Sequence, residues 1–108
     1  MVSDLLIQSR GYEPNYLAVE MKKKGKMKNA KNDRECLISL VQPSSLSNRT
    51  DCVHDTLLGA FIVVGENGID MEIYRYLWKD GKVEMAGYLG VCMQGQLYIT
   101  LVNKTVIR

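Results

Sequence analysis

Hydrophobic and polar positions alternate most regularly in the second half of the chain, and turn dipeptides punctuate the alternation. Phe61-Ile62-Val63-Val64 runs into Glu66-Asn67-Gly68-Ile69. Asn-Gly marks a hairpin because both residues accept a positive φ. Residues 71–79 then meet Asp80-Gly81, a second signal of the same kind, and residues 82–93 reach the weaker turn Gln94-Gly95. With residues 97–107 as a last strand, the pattern predicts a four-stranded antiparallel meander.

Two-residue loops at the first two turns would set Phe61 opposite Tyr74, Ile62 opposite Ile73, Trp78 opposite Val83 and Tyr76 opposite Met85. Side chains alternate across a strand, so these registers sort the meander into two faces. One would hold Phe61, Val63, Tyr74, Tyr76, Trp78, Val83, Met85, Leu89, Val91 and Tyr98. The other would hold Ile62, Val64, Met71, Ile73, Leu77, Tyr88, Leu97, Ile99 and Leu101. Both are apolar, whereas an antiparallel sheet with one wet face shows polar residues there. The pattern therefore predicts cover on both sides, or a face that is partly an interface. Gly87 and Gly90, inside the third strand, mark a bulge or bend.

The first half is less regular. Residues 16–21 and 36–41 read as strands, which makes the lysine-rich segment 22–34 a loop or flared hairpin tip between them. Residues 43–48 read as a loop. Residues 50–58 fit a short helix with Thr50 as N-cap, against a competing strand running through Val53 into Phe61. Residues 2–9 fit helix or strand equally. The fold expected is mainly β: one domain over 1–108, with about six antiparallel strands in a small sandwich or partly open barrel, and one short helix near 50–58.

Composition adds bounds. A chain of 108 residues can bury one core without metal or disulfide staples. No apolar run approaches the ~20 residues of a membrane span, the longest being residues 57–64. The first residues lack the basic start and apolar length of a secretory signal. Three cysteines, Cys36, Cys52 and Cys92, show no CxxC spacing and suit a reducing compartment. Two glycosylation sequons, at Asn48 and Asn103, are read as chance in that setting. The expected location is cytoplasmic or nuclear, neither secreted nor membrane-spanning.

Charge changes the picture most. Residues 22–34 contain six Lys, one Arg and one Asp, a local +6, whereas the remaining 95 residues carry seven positive and eleven negative charges. The formal +2 chain is thus a mildly acidic domain with one cationic segment, and a like-charged block of this kind draws an anionic partner. The candidate binding residues are Lys22, Lys23, Lys24, Lys26, Lys28, Lys31 and Arg34. Lys supplies point-charge attraction where Arg would supply bidentate reading, so little sequence specificity is expected. Nucleic acid is the preferred partner. An anionic membrane surface is the alternative, disfavoured because only Met21 and Met27 flank the cations as apolar anchors.

Other constellations carry less. Tyr74, Tyr76 and Trp78 have the every-other-residue spacing of a base-stacking platform, but their aliphatic neighbours make them core residues first. Arg75 sits mid-strand among apolar residues and calls for an acid, with Glu84 diagonal to it. His54, between Asp51-Cys52-Val53 and Asp55, invites a Cys–His dyad or a metal site, yet two nearby ligands do not make a zinc site. The chain lacks a glycine-rich phosphate loop, a GxSxG elbow and an HExxH motif. The expectation is a non-enzymatic, homo-oligomeric polyanion-binding module without cofactor or metal. The alternative is a protein-interaction module, an inhibitor or adaptor that docks through the apolar sheet, or a peripheral matrix-type protein.

Overall fold

The computed structural model describes residues 5–7, 17–43 and 57–108. In chain order the elements are β1 (Leu5–Ile7), β2 (Leu17–Lys23), α1 (Ala30–Val41), β3 (Leu58–Val64), β4 (Gly68–Leu77), β5 (Lys82–Met93) and β6 (Gln96–Val106). The six strands form one sheet in sequence order, β1 to β6. The fold is mainly β, as expected, and β3–β6 form the expected meander; its one described helix, α1, is not the one expected near 50–58. The sheet is not closed into a barrel, and it is mixed where about six antiparallel strands in a small sandwich or partly open barrel were expected: β2 and β3 pair in parallel, the other neighbours antiparallel. A parallel pair needs a long crossover between its strands, and α1 lies in that crossover.

The helix corrects two expectations at once. Residues 36–41 are its last half and not a strand, and the segment 22–34 is not a single loop. Lys22 and Lys23 end β2, residues 24–29 turn, and Lys31 and Arg34 lie in α1. The apolar run Cys36-Leu37-Ile38 read alone has no period. Extended back to Ala30, the buried residues 30, 37, 38 and 41 recur at helical spacing. The charged residues between them, Lys31, Arg34 and Glu35, are good helix formers. The helix once expected near 50–58 falls, up to residue 56, outside the described residues, and Leu58 opens β3. Of residues 2–9, only 5–7 are described, as strand.

The turns are longer than anticipated, and the faces survive because of how much longer. Val64 pairs with Ile69, and Phe61 faces Glu72 where Tyr74 was anticipated. Tyr76 faces Val83, and Tyr74 faces Met85. Each partner moves by two residues, and a shift of two preserves the face on which a side chain emerges. At the third turn, Gln94 and Gly95 both have positive φ, and Met93 pairs with Gln96 across a two-residue loop. The β5–β6 register shifts between Gly87 and Tyr88, the bulge that the two glycines announced.

One face of the sheet is covered. Helix α1 lies against β2, β3 and β4. Its Leu37, Ile38, Leu40 and Val41 pack with Ala18, Phe61, Tyr74 and Val83, with Val63, Tyr76 and Met85 at the margin. Leu37, Phe61 and Val83 are essentially sealed from solvent, and burying each such side chain contributes roughly 1.5–3 kcal/mol. Among the described residues the other face has no cover, which leaves open the expected choice between a second covering layer and a face that is partly an interface. Val19 and Ala60 are buried there between larger neighbours, but Met21, Leu58, Val64, Leu97, Ile99 and Leu101 are exposed. One twelve-residue helix spans part of one face and has nothing left for the second.

Candidate functional site

The cationic segment begins at the C-terminal end of β2 and wraps onto the first turns of α1. Its turns are well defined. The Lys24 N–H donates to the Val64 carbonyl at 2.8 Å, extending the parallel pairing by one residue, and the Lys26 N–H donates back to the Lys23 carbonyl at 2.9 Å. Gly25 supplies the positive φ of 88° that this tight turn requires. Asn29 begins the helix in the left-handed region, a conformation that Asn tolerates better than most residues.

The structure divides the seven predicted binding residues into two groups. Lys22 and Arg34 are occupied within the domain. The Lys22 ammonium meets Asp33 Oδ2 at 2.7 Å and donates to the Lys28 carbonyl at 3.0 Å, so it ties β2 to both the turn and the helix. Arg34 Nε donates to Glu72 Oε1 at 2.9 Å, and its guanidinium carbon lies 4.4 Å from the centre of the Phe61 ring. Lys23, Lys24, Lys26, Lys28 and Lys31 are exposed and make no ion pair with the described residues. Asp33, the one acid in the segment, is consumed by Lys22.

Beneath Arg34 lies a polar row that sequence reasoning did not anticipate. Glu20, Phe61 and Glu72 are neighbours in register across β2, β3 and β4. Glu20 is buried. The Tyr74 hydroxyl donates a short hydrogen bond to Glu72 Oε1. Burial, followed by that carboxylate, pushes the Tyr74 phenol well above its ordinary value. The signal was present as Glu20 and Glu72 on the face that also carries Ala18, Phe61 and Tyr74, but it could be seen only once the register was known.

The aromatic row separates. Tyr74 is core, Tyr76 is half-buried, and Trp78 lies beyond β4 with most of its surface exposed, its ring edge-on to Tyr76 at 4.9 Å between centroids. No flat three-ring platform results. Arg75 pairs directly with Glu84 at 2.8 Å, the structural ion pair expected of it. Cys52 and His54 lie outside the described residues. Among the described residues there is no cluster of three or more His, Cys, Asp or Glu that could hold a metal, and no helix long and apolar enough to cross a membrane.

Lys23 and Lys24 also border a shallow concavity of about 980 Å³ at the end of the sheet, walled by Met21, Val64, Ile69, Leu89 and Val91. Glu66 and Asp70 line the same hollow and offset its positive charge. Lys26, Lys28 and Lys31 stand outside it. Comparison with protein-family models, with curated proteins and with solved structures gives no match.

Proposed function

We propose that the chain is a non-enzymatic polyanion-binding module that engages RNA or DNA through Lys23, Lys24, Lys26, Lys28 and Lys31. The observation that supports this reading is the division of the cations. Two of seven are paired inside the domain, and the other five, within nine residues, face solvent with no direct ion pair to a described residue; Lys26, Lys28 and Lys31 also stand clear of Glu66 and Asp70. Their backbone is fixed by β2 at one end and α1 at the other, which lowers the ordering cost of binding. Five point charges of this kind hold phosphates without reading bases.

Fluorescence anisotropy with a single-stranded RNA oligomer tests this. Five phosphate contacts give a log–log salt slope of about −3.5. Between about 50 and 300 mM salt the affinity then falls about 500-fold. Changing the five lysines to Ala abolishes the binding while leaving the fold intact. Absence of binding at low salt overturns the reading, and binding to acidic vesicles but not to RNA transfers it to a membrane surface. The second reading, a protein-interaction module, draws on the open apolar face of the sheet.

A further inference from the structure

The last strand presents an anomaly of exposure. Every residue of β6 is exposed, and β6 is the outer strand of the sheet, so among the described residues one row of its backbone donors and acceptors has no neighbour. Leu97, Tyr98, Ile99, Leu101 and Val102 are each about half exposed or more. A long apolar edge invites another strand, and proteins that avoid this blunt their edges with charge, proline or a bulge. Here those devices are confined to one end. The register shift and Lys104 fall in the second half of β6, whereas residues 96–102 contain no charged residue and no proline.

We propose that a second copy of this chain pairs antiparallel with β6 about a two-fold axis at Ile99. The sequence of the bare segment identifies the occupant. Folded onto itself about Ile99, it sets Leu97 opposite Leu101, Tyr98 opposite Thr100 and Ile99 opposite its own counterpart. A two-fold interface must be self-complementary in this way. Leu97, Ile99 and Leu101 emerge on the face away from α1, so the pairing gathers six aliphatic side chains from two copies into one cross-strand cluster. The segment is neutral, so two copies of a net cationic chain meet there without like-charge repulsion. The result is a continuous sheet across both copies. Its contact is small, at the lower end of specific interfaces, and the dimer is therefore reversible and concentration-dependent. It uses a surface remote in the sheet from the lysines of β2 and α1, so it holds or fails independently of the polyanion reading.

Sedimentation equilibrium of the full chain from low to several hundred micromolar tests the assignment. The wild type is expected to pass from monomer to dimer. Ile99→Lys places two cations opposite each other and is expected to weaken the dimer at least tenfold, with an unchanged circular-dichroism spectrum because Ile99 is at the surface. A charge pair then tests the register. Leu97→Lys and Leu101→Glu each weaken association alone, but together they meet across the two-fold and restore it relative to either single change. A wild type that stays monomeric throughout, a dimer that survives Ile99→Lys, or a double variant no better than the singles overturns the proposal.

Discussion

The sheet has a dressed half and a bare half, and the contrast between them organises the molecule. Strands β2, β3 and β4 carry α1 and, with Val83 of β5, form the sealed core beneath it. Strand β6 is held by β5 on one side, and every one of its residues is exposed. The two halves have similar apolar content, so hydrophobicity alone does not say which residues make the core. What separates them is the parallel crossover, which lays a helix over the strands it connects; among the described residues nothing covers the end of the meander. The bare half keeps its place through backbone pairing, the mutual hydrogen bonds of Val83 with Ile107 and Arg108, and the ion pair of Arg108 with Glu35 at 2.7 Å.

Core truncation breaks this comparison most directly. Phe61→Ala or Leu37→Ala is expected to cost roughly 3–5 kcal/mol, and Ile99→Ala less than about 1, since only the first two leave a sealed cavity. Urea melts of the three variants, at a concentration where the chain is monomeric, measure the difference. Equal losses would mean that β6 is buried in the native protein.

Gly68→Ala comes next, at about 1–3 kcal/mol. A Cβ at Gly68 would overlap the Gly90 carbonyl oxygen, backbone that cannot swing away. At Gly90 the same atom meets side-chain atoms, Ile69 Cγ1 at 2.8 Å and Leu97 Cδ1 at 3.2 Å, which can shift by a few tenths of an ångström where backbone cannot, so Gly90→Ala is the milder change. Thermal melts that reversed this order would contradict the close approach of β4 and β5.

Arg34→Leu removes an ion pair and the stacking on Phe61, and together they are expected to be worth about 1–2 kcal/mol. Arg34→Lys keeps the charge but loses the planar fork and is expected to recover less than half. Full recovery in a denaturant melt would show that charge alone matters at this position.

Tyr74 gives a pH signature. Its phenol titrates higher in the folded chain than in the unfolded one. The stability it lends is therefore complete below the ordinary tyrosine value near 10 and is lost as the pH rises above it. The wild type is expected to lose stability above that pH faster than Tyr74→Phe, and one phenol is expected to ionise late in an ultraviolet titration. Parallel alkaline profiles would remove the Tyr74–Glu72 hydrogen bond from the account.

The smallest effects on stability belong to the solvent-facing lysines. Lys26→Ala or Lys28→Ala is expected to change stability by less than about 0.5 kcal/mol. Lys22→Ala costs more, because it leaves Asp33 and the Lys28 carbonyl without their shared cation. Binding follows the reverse order: loss of Lys26 and Lys28 flattens the salt slope of RNA affinity, and loss of Lys22 leaves it nearly unchanged. The same affinity for all three variants would erase the distinction between structural and solvent-facing cations.

Much of this molecule is local and could be read in advance. The glycine dipeptides located the three turns of the meander, and the period-two pattern assigned its residues to faces. Registers were off by two because a four-residue turn and a two-residue turn share the same Asn-Gly or Asp-Gly signal, yet a two-residue shift leaves parity intact. Helix α1 was misread because its apolar residues crowd into positions 36–41, and the charged residues that complete its period look like part of a loop. The segment 22–34 announced itself as cationic, but which of its charges are paired within the domain could not be read from it.

The chain alone thus determined the strands of the meander, their turns, the sorting of their side chains between two faces and the position of the positive charge, because each depends on neighbours a few residues apart. Only the tertiary structure decided which face is core, which cations are spent and which edge is bare. Those depend on where the crossover lays α1, on Glu72 reaching Arg34 across 38 positions of sequence, and on β6 coming last in the sheet. Non-local pairings of this kind leave no period for a one-dimensional pattern to show.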